Sequence, residues 1–473
     1  MSPLFPSLRR LFTRSLAALV AGLLAGCTGD PGGGPGPDGP PIPGAERKPN
    51  VLIFLTDDQR VDTLQVMKKT LEWFKDGGTQ YTNAFATTPV CCPSRASILS
   101  GQYAHNHGVR TNDKALEFSE EDSLARHLDD QGYLTGFAGK YLNLWPEDRP
   151  PAHFDRWALI PDLDYSKVYY DFRVNLDGQI QDMPGEYSTD FLAETGVDFL
   201  QDFEKSGDDN PWFLYLAPYP PHQPATPEFD YVDSKVTYYP GNPSVREEDR
   251  TDKPPLVQAD NAGGLMQARA ARAKQLRSLR SADDMVDKVM SAVKRLDEDR
   301  DTIAFFMSDN GYMWGEHHLN SKRWQYLPSI RIPMLARWPG EIDSGVEDDR
   351  IVANIDVAAT VLDALGVWPN DVYDTDGRSL LDPAARDRLL LENWFYAKGA
   401  STWAATITPD YHYIESYDDA GETLEFQEYY DMKKDPWQLS NLLGDKKKSN
   451  DPDADALSEQ LAADRTCAIG ACP

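Results

Sequence analysis

Cys91-Cys92-Pro93-Ser94-Arg95, followed by Ala-Ser-Ile-Leu-Ser-Gly101, places a nucleophile-bearing side chain at the start of a short helix that Gly101 can terminate. The first N–H groups of such a helix carry partial positive charge and point outward, so a sulfate or phosphate can dock there while the first side chain faces it. Arg95, one turn along, is near enough to clamp an oxygen. Two further clusters suit a hard cation. Asp57-Asp58 and Asp309-Asn310 together offer four oxygen-bearing side chains, a cage for Ca²⁺ or Mg²⁺ whose charge would neutralise substrate and nucleophile oxygens. His222 lies in Pro220-Pro221-His222-Gln-Pro224, where flanking prolines hold a side chain rigidly.

These groups need elements to bring them together, and four apolar segments of strand length each run into one of them. Val51–Thr56 leads into Asp57-Asp58, Leu134–Ala138 into Gly139-Lys140, Trp212–Ala217 towards His222, and Thr302–Met307 into Asp309-Asn310. In an open, mostly parallel sheet, ligands bind outside the carboxyl ends of the strands, so one rim would collect two carboxylate clusters, a lysine and a histidine. Helical patterns lie between, at Ser119–Gln131 and at Ala268–Leu296, where Met285, Val286, Val289, Met290 and Val293 recur at helical spacing. The alternation predicts a doubly wound α/β fold. After about Arg386 the texture changes to short aromatic-rich strands, Thr402–Ile407, His412–Ser416 and Glu425–Asp431, which predict a small antiparallel sheet. The expected division is a catalytic domain over 49–385 and a C-terminal subdomain over 386–473.

Arg9, Arg10 and Arg14 precede the apolar run Leu16–Leu24 and then Leu24-Ala25-Gly26-Cys27, which reads as a bacterial export signal over 1–27 ending in a lipobox. Cys27 would be the lipidated first residue, attaching the protein to the outer face of a membrane; ordinary signal cleavage nearby is the alternative. Residues 28–48 are a Pro/Gly-rich tether that cannot pack a core. Of five cysteines, Cys467 and Cys472 near the end could close a small loop by a disulfide in an exported chain, or stay as two thiols. The formal net charge of −29 over 473 residues argues against nucleic acid as a partner and would repel an anionic substrate, so the site must be locally basic.

The Cys91–Gly101 stretch, with Pro89-Val90 before it, resembles the signature of the formylglycine-dependent (type I) sulfatases, with Ser100 where most relatives carry Thr. The resemblance runs from about Pro49 to Gly444. It implies an alkaline-phosphatase-like, doubly wound, mixed but mostly parallel sheet with a smaller C-terminal antiparallel sheet. It also implies that Cys91 is oxidised to 3-oxoalanine (formylglycine) by a formylglycine-generating enzyme, while Cys92 stays unmodified. Thr-Asp57-Asp58 and Ser-Asp309-Asn310-Gly match the family's metal ligands, with Cys91 as a further ligand and calcium as the usual ion.

By the same resemblance Lys140, in Gly139-Lys140-Tyr-Leu-Asn143, contacts the sulfate; the usual histidine position is Leu142, and Asn143 stands in for it as a substrate-binding residue. Lys322 matches the second sulfate lysine, although Tyr326-Leu327-Pro328 replaces the family's usual continuation. His222 matches the histidine that protonates the leaving alcohol, and Arg95, Lys140 and Lys322 would neutralise sulfate oxygens. His105 and His107, in His-Asn-His, and His317, in Gly-Glu-His, could reach the substrate pocket, or could play supporting or surface roles. The Cys-Cys-Pro-Ser-Arg-Ala-Ser-Ile-Leu run, His105-Asn106-His107 and the terminal cysteine pair resemble the N-acetylglucosamine-6-sulfatase branch. The expected activity is hydrolysis of a sulfated sugar or other sulfate ester outside the cytoplasm. A phosphonate or phosphate ester hydrolase and an unmodified glycan-binding lipoprotein are the competing readings.

Overall fold

The strand Asn50–Thr56 is buried along its whole length, and its side chains divide between two apolar cores: Val51, Ile53 and Leu55 on one face, Leu52 and Phe54 on the other. A strand apolar on both faces belongs in the middle of a sheet covered by helices on both sides. The computed structural model describes residues 48–206, 210–261, 263–367, 373–396 and 401–473, and places it there. Residues 1–47, which carry the expected export signal, lipobox Cys27 and most of the tether, lie outside the described residues.

The strands in chain order are β1 (Asn50–Thr56), β2 (Thr79–Phe85), β3 (Leu134–Gly139), β4 (Arg156–Leu159), β5 (Tyr170–Leu176), β6 (Gln179–Tyr187), β7 (Trp212–Ala217) and β8 (Thr302–Ser308). The short pair β9 (Met313–Trp314) and β10 (Asn320–Ser321) precedes β11 (Met334–Arg337) and β12 (Val346–Ala353). The last four are β13 (Leu389–Asn393), β14 (Thr402–Ile407), β15 (Tyr411–Tyr417) and β16 (Leu424–Asp431). Ten of them form one mixed sheet in the order β12-β2-β11-β8-β1-β7-β3-β4-β5-β6. Its centre, β8-β1-β7-β3-β4, is parallel, so four strands deliver their carboxyl ends to one rim, as the sequence predicts.

Helices Cys91–Ser100, Leu124–Asp130 and Asp356–Ala364 cover one face of this sheet; Ser188–Lys205 and the 31-residue Leu265–Arg295 cover the other. The single helix expected over Ser119–Gln131 is divided. Ser123 is extended (φ −93°, ψ 153°) and its side chain accepts from the Arg126 N–H, so it caps a new helix at Leu124 rather than continuing the one-turn helix Glu120–Asp122.

The second sheet, β13-β14-β15-β16, is antiparallel throughout. Leu389, Leu390, Leu391, Trp403 and Tyr413 share a core with Phe85, Tyr103, Trp324 and Tyr326. Two hydrogen bonds fix the sheet beside the rim: the backbone Glu392 N–H donates to the Thr87 carbonyl at 2.9 Å, and the indole Nε1 of Trp403 to the Arg323 carbonyl at 2.9 Å. Cys467 and Cys472 are joined by a disulfide. No helix of the described residues is long and apolar enough to cross a membrane.

Candidate active site

Cys91 opens the helix Cys91–Ser100, which begins abruptly after extended Val90 and ends at Gly101 in the left-handed region (φ 69°). A Cβ at Gly101 would also lie 2.3 Å from Thr375 Oγ1, so glycine is required on both counts. The exposed helix start is tied down from outside: Asn112 Oδ1 accepts from the Cys92 N–H at 3.0 Å, and Ser94 Oγ donates to the Asp309 carbonyl while accepting from Asn354 Nδ2 at 3.0 Å. Cys91 Sγ is thereby set 3.3 Å from Asp57 Oδ1, 4.0 Å from Asp58 Oδ1 and 2.7 Å from Lys322 Nζ.

Around the thiol the four strand ends converge as expected. Lys140 Nζ, just past β3, is 2.6 Å from Asp57 Oδ2; Lys322 Nζ is 2.5 Å from Asp58 Oδ1; and Asn310 Nδ2, just past β8, donates to Asp58 Oδ1 at 2.7 Å. The Asp58 N–H donates to Asp309 Oδ1 at 3.1 Å. Asp58 (φ 66°), Ser321 (φ 71°) and Arg323 (φ 79°) all hold positive φ, a cost that non-glycine residues carry where surrounding structure dictates a functional geometry. His222, after β7, donates from Nδ1 to the Gln223 carbonyl at 2.6 Å, which leaves Nε2 facing Asp58 Oδ2 at 3.8 Å.

Arg95 has neighbours other than a sulfate would require. Its side chain is 0 % exposed, and the guanidinium donates from Nε to Asp309 Oδ2 at 2.8 Å and from Nη1 to the Lys140 carbonyl at 2.6 Å, with Nη2 3.4 Å from Asp57 Oδ2. It faces the carboxylates rather than the opening.

Asn143 is also engaged. Its Nδ2 donates to Asp162 Oδ2 at 2.8 Å and to Tyr165 Oη at 3.1 Å, while its buried Oδ1 has no partner. Tyr165 in turn stacks on the His222 ring at 4.8 Å. The remaining histidines find other partners. His105 Nδ1 bonds Glu392 at 2.9 Å and its Nε2 the Cys467 carbonyl at 3.1 Å. His107 accepts at Nδ1 from the Val109 N–H, which leaves Nε2–H to donate to Ser97 Oγ at 3.0 Å. His317 Nδ1 sits 2.6 Å from Glu247, with its ring 4.2 Å from Tyr326. All three are thus committed to the protein's own groups.

Burial alone would raise every carboxyl here, and the cations decide which stays low. Asp57 is held well below the usual range because the charges of Lys140, Lys322 and Arg95 outweigh its desolvation. For Asp58 and Asp309 burial prevails and the pKa rises, helped in both cases by the neighbouring Asp57 charge. Burial and Asp57 push the Cys91 thiol well up despite Lys140 and Lys322, so the unmodified sulfur is held protonated, the reverse of a thiolate nucleophile. Burial lowers His222 to about 3, and it is neutral.

Asp57, Asp58, Asp309 and Asn310 are 0–2 % exposed, and Asn310 Oδ1 is a buried acceptor without a partner, so the donor set fits a hard, oxygen-seeking cation. Asp57, Asp58, Cys91 and His222 also bring one potential ligand atom each within 4.8 Å of the others.

Two aromatic residues at the site carry no sequence motif. Tyr165 follows Asp162-Leu-Asp in a loop with nothing to mark it, whereas Tyr312, beside Asp58 and Lys322, lies only two residues beyond Asn310 and could have been included on that ground.

Residues 49–367 match the family described as Sulfatase, and residues 315–466 the family described as N-sulphoglucosamine sulphohydrolase, C-terminal. The chain is 33 % identical over 368 residues to an extracellular sulfatase SULF-1 homolog of Drosophila melanogaster, a match covering 74 % of this chain but 32 % of that one. The chain therefore spans about a third of that relative's length. It is 29 % identical over 511 residues to the human N-acetylglucosamine-6-sulfatase, covering 93 % of this chain and 88 % of the relative. Among solved structures, BT4656 in complex with its substrate D-glucosamine-2-N,6-O-disulfate superposes with a TM-score of 0.77 at 20 % identity, over 88 % of this chain and 97 % of that one. That likeness shows a shared fold. With the nucleophile helix, the carboxylate clusters and both lysines gathered at one rim, and with the family match running from β1 past β12, the chain belongs to the sulfatase family.

Proposed function

We propose that this protein is a calcium-dependent sulfatase that hydrolyses a sulfate ester of a sugar, with position 91 as its nucleophile. The convergence on Cys91 carries the reading: one buried sulfur lies within 4.0 Å of Asp57, Asp58 and Lys322, at the start of a helix aimed at an anion. When present, formylglycine at position 91 supplies an attacking hydroxyl from its hydrate, and Ca²⁺ supplies positive charge beside it. Asp57, Asp58, Asp309 and Asn310 would hold that ion. Arg95 fixes two of those carboxylates in place. Lys140 and Lys322 lie within reach of sulfate oxygens and stabilise charge as the S–O bond breaks. His222, with Nδ1–H tied to a carbonyl and its ring held by Tyr165, presents Nε2 as a proton acceptor, so it passes a proton to the departing alcohol only after first taking one up at Nε2.

In this reading 49–385 carry the chemistry and 386–473 form a subdomain that props the loops before Cys91 and after Lys322, with the Cys467–Cys472 loop at its end. Cys27 anchors the mature chain to the outer face of a bacterial membrane, and a formylglycine-generating enzyme matures it.

The substrate we favour is a 6-O-sulfated N-acetylglucosamine or a similar sulfated hexose, supported by the likeness to N-acetylglucosamine-6-sulfatases. Sites that hydrogen-bond a substrate reject analogues lacking the group. The sulfated sugar should therefore show a higher kcat/KM than 4-nitrophenyl sulfate. A tenfold preference for the aryl ester would defeat the sugar assignment, and faster turnover of an aryl phosphonate than of any sulfate would favour the phosphonate hydrolase instead.

A further inference from the structure

Beside the loops that carry Cys91 and Lys322, the C-terminal sheet walls a second recess of about 200 Å³, lined by Arg110, Asn393, Trp394 and Arg465 among others. Its position follows from backbone ties. Glu392, two residues before Trp394, donates to the Thr87 carbonyl at 2.9 Å, and the Arg323 N–H donates to the Pro89 carbonyl at 3.1 Å. On the other wall Arg110 precedes Asn112, the residue that accepts from the Cys92 N–H. The recess thus adjoins the nucleophile helix without containing any of the catalytic groups assigned above.

Three of its features go beyond what folding requires. Asn393 is 1 % exposed; its Nδ2 donates to the Ser401 carbonyl at 3.0 Å, but its buried Oδ1 has no partner. An unpaired buried acceptor costs about 1–3 kcal/mol unless a ligand supplies a donor. Arg110 lies 5.0 Å over the Trp394 ring, and Arg465 lies 3.9 Å over the Tyr417 ring and donates to the Gly421 carbonyl at 3.2 Å. Neither guanidinium has a carboxylate within ion-pair distance among the described residues, in a chain whose formal net charge is −29. The one acid that lines the recess, Glu392, is taken up by His105 at 2.9 Å, so two arginines without a carboxylate partner suit an anionic ligand. The partly exposed Trp394 face suits a sugar ring.

We propose that this recess is a glycan subsite. It would take the sugar next to the one whose sulfate ester faces Cys91, pairing its sulfate or carboxylate with Arg110 and Arg465, laying its ring on Trp394 and receiving a hydroxyl donor at Asn393 Oδ1. The proposal rests on the sulfated-sugar reading above and adds that the substrate is an extended anionic glycan. At 200 Å³ the volume falls below the range of about 300–1,000 Å³ typical of drug-sized ligands, which fits one sugar residue rather than several.

The test uses the full chain, a 6-O-sulfated N-acetylglucosamine monosaccharide, and a uronic-acid-containing sulfated tetrasaccharide with the same residue at its end. The wild type should favour the tetrasaccharide by tenfold or more in kcat/KM. The Arg110→Ala/Arg465→Ala variant should lose most of that preference through KM while keeping monosaccharide turnover within twofold, and Arg110→Lys should retain part of it. Equal turnover of both substrates by the wild type, or equal losses on both in the variant, would overturn the subsite. If neither sugar is turned over, the sulfate-ester reading fails, and the subsite is judged by fluorescence. Quenching by the tetrasaccharide but not by inorganic sulfate, lost in Trp394→Phe and in the double arginine variant, supports it; absence of quenching overturns it.

Discussion

Replacing Arg95 with lysine separates two roles that the sequence leaves joined. If Arg95 clamps sulfate, Lys should weaken substrate binding; if it braces Asp57 and Asp309, Lys should weaken the fold and the cation site. The geometry favours the second role. Arg95 is fully buried, and its three nitrogens serve Asp309 at 2.8 Å, the Lys140 carbonyl at 2.6 Å and Asp57 at 3.4 Å. A single ammonium keeps the charge but cannot span all three. Two of these contacts are hydrogen bonds and the third is a longer ion pair, so an ammonium that keeps one hydrogen bond gives up the other, at about 1.5–3 kcal/mol. At about 2.1 cal/mol/K per residue, unfolding 473 residues carries roughly 1 kcal/mol/K of entropy, and the expected fall in Tm is about 1.5–3 °C. Groups that orient metal ligands typically change affinity by about 10–100-fold. Calcium titration followed by scanning calorimetry should therefore need that much more Ca²⁺ to reach the same Tm rise in Arg95→Lys, while KM for a sulfate ester moves less than threefold. A variant that melts within a degree of wild type, with calcium dependence unchanged and KM raised tenfold, would refute the bracing role and restore the sulfate clamp.

Two further outcomes follow from individual side chains. Cys91→Ala should abolish turnover, whereas Cys92→Ala, whose thiol lies in the apolar core at 0 % exposure, should keep most of it and lose about 1 kcal/mol of stability; equal loss from both sinks the assignment, and the wild-type peptide should show sulfur exchanged for oxygen with loss of two hydrogens at position 91. His412, buried in β15 with Nε2 unpartnered, is lowered by burial from its ordinary 6.5 to about 3, so below pH 6.5 the unfolded chain takes up a proton that the folded chain refuses. This contribution to stability is complete above pH 6.5 and is lost as pH falls towards 3, by up to about 1.4 kcal/mol per pH unit; urea titrations at stepped pH should show His412→Asn gaining on wild type across that window, and a constant gap would exclude it.

The central strands were readable because each is a run of apolar residues ending in a polar cluster, and burial on both faces leaves such a pattern little room to be anything else. Trp212–Ala217 is identical in expectation and structure, and β1, β3 and β8 differ by one residue at an end. The hairpin β5–β6 was not legible. Most of Gln179–Tyr187 is solvent-exposed, so it holds its place by ladder hydrogen bonds that leave no hydrophobic period. β13 was missed for the opposite reason: Leu389-Leu390-Leu391 is uniformly apolar and too short to tell strand from helix. At the site, residue types and order were enough to name the clusters but not to say which way a side chain turns. Arg95 one turn after Cys91 could have faced outward or inward, and only the position of Asp309, more than two hundred residues away, decides it. The His105-Asn106-His107 run shows the same limit, since Glu392 and Ser97 claim the two rings through contacts that no spacing reveals.

The charge of the whole chain and the charge of the site pull in opposite directions, and distance reconciles them. At physiological salt the field of an exposed carboxylate is screened within about 8 Å, so most of the acid excess is lost before it reaches a buried rim. Inside that rim three carboxylates, Asp57, Asp58 and Asp309, face three cations, Arg95, Lys140 and Lys322, all at 0–8 % exposure. A divalent ion added to this balanced set leaves two positive charges in surroundings where screening is weak, enough to draw in a sulfate monoester and to offset an anionic nucleophile beside it. The lysines then have work in both conditions. Each lies on a carboxylate, Lys140 favouring the deprotonated, ligating form of Asp57 and Lys322 opposing the burial that raises Asp58, and each remains beside position 91 where the sulfate must come. Local basicity therefore requires no basic patch on the surface, only that the cluster's own cations match its acids before the ion arrives.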